Sequence, residues 1–118
     1  MDTPAHAPNP PGDATRDDRL RRVRLLILDV DGVMTDGSVM ATEAGGEIYR
    51  FNVKDGAGIV LARRAGIEVG ILTGRSSAAV ERRARELGIG RLLQGAMDKG
   101  LGLRELLADG AYDPADVA

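Results

Sequence analysis

Residues 23–30, Val-Arg-Leu-Leu-Ile-Leu-Asp-Val, constrain this chain more than any other stretch. Leu25, Leu26, Ile27 and Leu28 follow one another without a polar break, and Asp29-Val-Asp-Gly ends the run. A short unbroken apolar run stopped by polar residues and glycine reads as a strand covered on both faces, the kind found in parallel sheets. Parallel strands need crossover connections, so helices must alternate with strands. The rest of the sequence meets that demand. Residues 38–42 and 47–51 read as a β-hairpin around Glu43-Ala-Gly-Gly, projecting from the end of the first strand. A helix is expected over 55–64 and a second buried strand over 67–72. A helix capped by Ser76 or Ser77 follows, reaching Leu87 with Val80 and Ala84 on its apolar face. A short third strand over 91–94 and a helix over 98–107 complete the alternation, and Val117-Ala118 has the character of a fourth strand. The fold class implied is α/β, a parallel sheet with right-handed crossovers and a small hairpin flap.

The length, 118 residues, suits one small domain. Residues 1–18, with Pro4, Pro8, Pro10 and Pro11 among small and polar residues, read as a disordered leader. The domain proper is expected over 19–118. The chain has no cysteine, which removes disulfides, thiolate metal sites and a cysteine nucleophile. Its single histidine, His6, lies in the leader, so any chemistry falls to carboxylates, Lys, Arg, hydroxyls and backbone groups. Net charge is −2, and its arginine clusters have acidic neighbours, so nucleic acid is not an expected partner. No apolar run approaches the roughly 20 residues that cross a bilayer, and no signal-peptide pattern opens the chain. A cytoplasmic protein without membrane contact is expected.

In open parallel sheets, functional groups gather at the carboxyl ends of the strands. Those ends carry Asp29 and Asp31, then Thr73, Gly74 and Arg75, then the segment from Gln94 to Lys99. Two carboxylates, a hydroxyl and an ammonium thus converge on one rim. Two ionised carboxylates one residue apart repel each other, and a hard divalent cation such as Mg²⁺ offsets that repulsion. A phosphate fits the same rim, held by glycine-turn amides, a threonine hydroxyl and a lysine. A carboxylate can attack phosphorus while a second serves as acid and base. Each residue taken singly has a plainer reading. Asp-x-Asp is a common turn, Thr73 can start a helix, Lys99 can be a solvated lysine, and Arg75 can pair with a neighbouring carboxylate.

Asp29-Val-Asp-Gly-Val with Thr35-Asp-Gly, Leu72-Thr-Gly-Arg, and Lys99 resemble the first three motifs of the haloacid dehalogenase superfamily. Within it, the strings at 51–59, 71–76 and 94–99 resemble the 3-deoxy-D-manno-octulosonate 8-phosphate (KDO 8-phosphate) phosphatase family. The resemblance implies Mg²⁺-dependent hydrolysis of a sugar-acid phosphate through an aspartyl-phosphate, in lipopolysaccharide synthesis. It makes Asp29 the nucleophile and a metal ligand. Asp31 becomes the acid/base, with its backbone carbonyl on the metal. Thr73, Gly74 and Lys99 become phosphate ligands. Arg75, Lys54, Asp55 and Gly56 face the sugar acid. The resemblance also implies a Rossmann-like parallel sheet with no large cap domain, and a homotetramer for the full-length protein. The family's fourth motif, a Gly-Asp-Asp type that supplies further metal-binding carboxylates, lies beyond Ala118, so the sequence reads as truncated. Two other readings fit the residues less well. One is a non-catalytic or nine-carbon sugar-acid phosphatase-like domain of the sialic-acid cytidylyltransferase type. The other is a phospho-accepting receiver-like module, which would need an Asp where the second core strand ends in Thr73.

Overall fold

A computed structural model describes residues 15–118. The first fourteen residues of the expected leader lie outside those described. Residues 16–18 differ from the expectation, because Arg16–Arg22 forms helix α1. Thr15 caps it by accepting the Asp18 amide at 3.0 Å. Asp17 and Asp18 occupy its first turn and arginines its last, the charge order that a helix dipole favours.

Three strands form the main sheet: β1 (Leu25–Leu28), β4 (Glu68–Leu72) and β5 (Arg91–Leu93), all parallel and in the order β1-β4-β5. The expected hairpin is present as two-residue strands, β2 (Met40–Ala41) and β3 (Glu47–Ile48), paired antiparallel. Beyond these strands its outer arms run free of the ladder, so it is shorter than the sequence pattern suggests. Val117-Ala118 lies along the other side of β1. Val117 bridges Leu25, and the Ala118 amide donates to Leu25 O at 3.0 Å.

Helices α2 (Val53–Arg64) and α3 (Ala78–Glu86) cover one face. Ile59, Val80, Ala84 and Leu87 pack there with Val69, Ile71 and Ile89 around Val30 and Met34. Asn52 and Ser77 cap these helices, and the sequence reading placed the α2 start two residues late by overlooking Asn52. Helix α4 (Lys99–Leu106), capped by Asp98, covers the opposite face. It comes so close at Gly102 that a Cβ there would lie 2.6 Å from Leu72 Cδ1. This close packing explains the glycine in an interior helical position that would otherwise favour alanine. With β4 in the middle, four of its five residues are buried. β1 fits the doubly covered strand less fully: Leu25 is buried and the next three residues are half-buried.

Candidate active site

The carboxyl end of β1 turns sharply after Asp31. Gly32 and Gly37 both sit at positive φ, 78° and 85°, where a side chain would be strained. The Thr35 hydroxyl accepts both of their amides, at 3.3 and 3.2 Å, and so ties the loop into a closed turn. The turn holds the aspartate pair at the rim. The amide of Val30 donates to Asp29 Oδ1 at 2.7 Å, which fixes that carboxylate's orientation.

The loop after β5 is bonded to the loop after β4: the Ala96 amide donates to Thr73 O at 3.0 Å, and the Thr73 amide to Leu93 O. These bonds bring the start of α4 to the end of β1. Lys99 Nζ lies 3.2 Å from Asp29 Oδ2 and donates to Leu72 O at 3.0 Å. Thr73 is 2 % exposed, beside the carbonyl that Lys99 uses. Asp29 from the end of β1 and Lys99 from the start of α4 therefore meet beside Leu72 O, next to Thr73 in the chain.

The Asp31 carboxylate is turned the other way. Arg75 Nε donates to its Oδ2 at 3.0 Å and Nη2 to Oδ1 at 2.5 Å, a bidentate fork. The Arg75 hydrogen bonds, and then its charge and that of Lys99, hold the Asp31 carboxyl below its ordinary range. Arg75 also donates through Nη1 to Glu47 Oε1 at 3.0 Å, and its guanidinium lies over the Tyr49 ring at 5.3 Å. Tyr49 stacks on Phe51 at 6.0 Å. The sequence reading did not pick out Glu47 or Tyr49. Both belong to the hairpin arm, which the sequence marks only as a short strand.

Lys54 and Asp55 occupy the exposed first turn of α2. They line an open groove with Thr35, Asp36 and Arg50, and those three residues also border a small pocket lined by Glu47 and Arg75. Gly56 is buried where α2 faces α3, and a Cβ on it would meet Arg83 Nη2 at 2.5 Å and Leu87 Cδ2 at 3.3 Å. Gly74 stays at the rim, against Ala96 O and Met97.

The donors at the rim suit a hard cation: a carboxylate oxygen of Asp29 and the backbone carbonyl of Asp31, whose own carboxylate is engaged by Arg75. Among the described residues, no three His, Cys, Asp or Glu side chains converge as a metal cluster. Two protein oxygens are a small set, but Mg²⁺ is commonly held by one or two carboxylates, with waters and phosphate completing its shell. No helix among the described residues is long and apolar enough to cross a membrane.

No family model matches the sequence. The 3-deoxy-D-manno-octulosonate 8-phosphate phosphatase of Yersinia pestis is 46 % identical over 100 residues, 85 % of this chain and 54 % of that protein. The same-named phosphatase of Moraxella catarrhalis, solved in complex with magnesium, phosphate and KDO, matches with a TM-score of 0.80 at 37 % identity, over 84 % of this chain and 57 % of that one. The cobalt-bound enzyme of Haemophilus influenzae matches with a TM-score of 0.80 at 33 % identity, over 84 % and 58 %. The chain spans about half the length of the curated relatives it matches, 54 % of the Yersinia protein.

Proposed function

Because the chain belongs, over the part that it spans, to the KDO 8-phosphate phosphatases of the haloacid dehalogenase superfamily, we propose that it carries the nucleophile side of a divalent-metal-dependent phosphatase acting on a sugar-acid phosphate. The substrate proposed is 3-deoxy-D-manno-octulosonate 8-phosphate. The observation that carries this reading is the Asp29–Lys99 pair at 3.2 Å, with Lys99 also on Leu72 O. A nucleophilic carboxylate and a phosphate-binding ammonium meet there with Thr73 alongside.

Asp29 attacks phosphorus, a P–O bond to Asp29 forms, and the ester P–O bond to the sugar breaks. Lys99, Thr73 and the Gly74 amide hold the phosphoryl oxygens as their charge shifts. Asp31 gives its proton to the departing sugar oxygen. It then takes one from the water that cleaves the aspartyl-phosphate, releasing phosphate and restoring Asp29. Asp29 and the Asp31 carbonyl are the residues that would hold a divalent cation, which supplies charge neutralisation between the nucleophile and the phosphoryl group.

Phosphate release from 3-deoxy-D-manno-octulosonate 8-phosphate with Mg²⁺ tests the reading, with Asp29→Asn as the control. Release no faster than that of Asp29→Asn would refute it. Self-association is part of the same proposal. Val33, Val39 and Ile48 present exposed apolar surface on and around the hairpin, and such surface favours an interface between copies. Light scattering that finds only monomer would remove this part.

A further inference from the structure

Arg75 carries one positive charge and faces two carboxylates whose attachments are unequal. Asp31 takes two hydrogen bonds in a fork, from the Nε and Nη2 edge. Glu47 takes one, from Nη1, and both partners of that pair are more than a third exposed, at 36 % and 38 %. Exposed single-contact pairs contribute little and exchange readily, whereas a fork holds geometry. Glu47 also has a second partner to retire to, since Tyr49 Oη donates to its Oε2 at 3.4 Å. The Glu47–Arg75 contact forms one wall of an open groove of about 610 Å³, which runs past Ser76 and Ser77 at the start of α3. That size falls in the range of small-molecule sites, and two serines suit a polyhydroxylated ligand. A ligand carboxylate arriving from the groove meets Nη1 first, where Glu47 sits. A third carboxylate around one guanidinium adds like-charge repulsion, so one must leave, and the singly bonded one does.

Resting on the sugar-acid reading above, we infer that Glu47 stands in for the carboxylate of the ligand on Arg75: it occupies Nη1 in the free protein, and a ligand that carries its own carboxylate displaces it. Glu47 is thereby a specificity-positioning residue that acts through Arg75. Ligands without a carboxylate leave Glu47 in place.

The test is a calorimetric titration of the chain, without metal and without turnover, using free 3-deoxy-D-manno-octulosonate and its methyl ester as the neutral control. The acid binds more tightly than the ester to the unaltered protein. Glu47→Gln removes the competing charge and tightens acid binding by about two- to fivefold, the scale of one exposed ion pair, with the ester unchanged. Arg75→Ala lowers the acid to the level of the ester. Acid binding that is unchanged or weaker in Glu47→Gln overturns the inference while leaving the substrate class standing. Acid that binds no better than ester to the unaltered protein removes the sugar-acid reading as well.

Discussion

Two arginines at opposite ends of one sheet are surrounded by the same chemical set and are put to different use. Arg75, at the carboxyl end of β4, has Asp31, Glu47 and the Tyr49 ring. Arg91, at the amino end of β5, has Glu68, Asp109 and the Tyr112 ring at 5.0 Å. Arg91 also donates to Leu106 O at 2.6 Å, and the Tyr112 hydroxyl donates to Glu68 at 2.8 Å. Its side chain is only 16 % exposed, against 36 % for Arg75. Arg91 ties together the starts of two strands, the end of α4 and the loop that follows. Its contacts converge on fixed elements, whereas those of Arg75 reach to an exposed two-residue hairpin and to a proposed acid/base. The same side chains make a clamp where every partner is anchored and a latch where one partner is not.

The largest effect expected from breaking this comparison is on turnover. Asp29→Asn removes the nucleophile and lowers phosphate release by about a thousandfold or more, whereas Asp109→Asn leaves it near the unaltered rate. Equal losses in a release assay would contradict the assignment of chemistry to one end only. Stability shows the reverse order. Arg91→Ala strips a half-buried hub from two carboxylates and a carbonyl and is expected to cost about 1–3 kcal/mol in urea unfolding. Arg75→Ala, at the latch, shifts the unfolding midpoint much less. A smaller contrast separates the tyrosines. Tyr112→Phe loses a short hydrogen bond to Glu68, worth about 1 kcal/mol, while Tyr49→Phe loses a contact of 3.4 Å and leaves the midpoint unmoved.

The pH dependence is the finest distinction. Asp31 and Asp109 are both held below the ordinary carboxyl value, first of all by hydrogen bonds from Arg75 and Arg91. Each therefore adds stability that is complete above that ordinary value and is lost as pH falls through the lowered one. Tyr112 is shifted upward, chiefly by its hydrogen bond to Glu68. Its contribution is complete below the ordinary phenol value and is lost as pH rises through the raised one. Unfolding curves across pH should then flatten on the acid side in Asp31→Asn and in Asp109→Asn, and on the alkaline side only in Tyr112→Phe. A change on the alkaline side in Asp31→Asn would count against this assignment.

Most of the fold was legible because its signals are local. The run at Leu25–Leu28, the Ser77 and Asp98 caps, and the glycine-rich turn after Asp31 each report the conformation of their own neighbourhood. Helix α1 was missed because Pro residues before it suggested a longer leader, although Thr15 and the charge order of 16–22 carry a cap and a dipole pattern of their own. The approach of Arg83 to Gly56 is invisible in the sequence because α3 lies more than twenty residues further along the chain.

By itself the sequence determined which segments form the sheet, that they run parallel, and hence that Asp29, Asp31, Thr73 and Lys99 finish at one rim. Strand direction and the position of a polar stop fix that much, since each strand of a parallel sheet ends on the same side. Tertiary structure alone decided how those charges pair. Lys99 took Asp29 across seventy residues, and Arg75 took Asp31 and Glu47 across forty-four and twenty-eight. Every carboxylate at the rim was a possible partner for either cation, and sequence spacing does not rank them. Distance, side-chain direction and the ring of Tyr49 beneath one guanidinium made that choice.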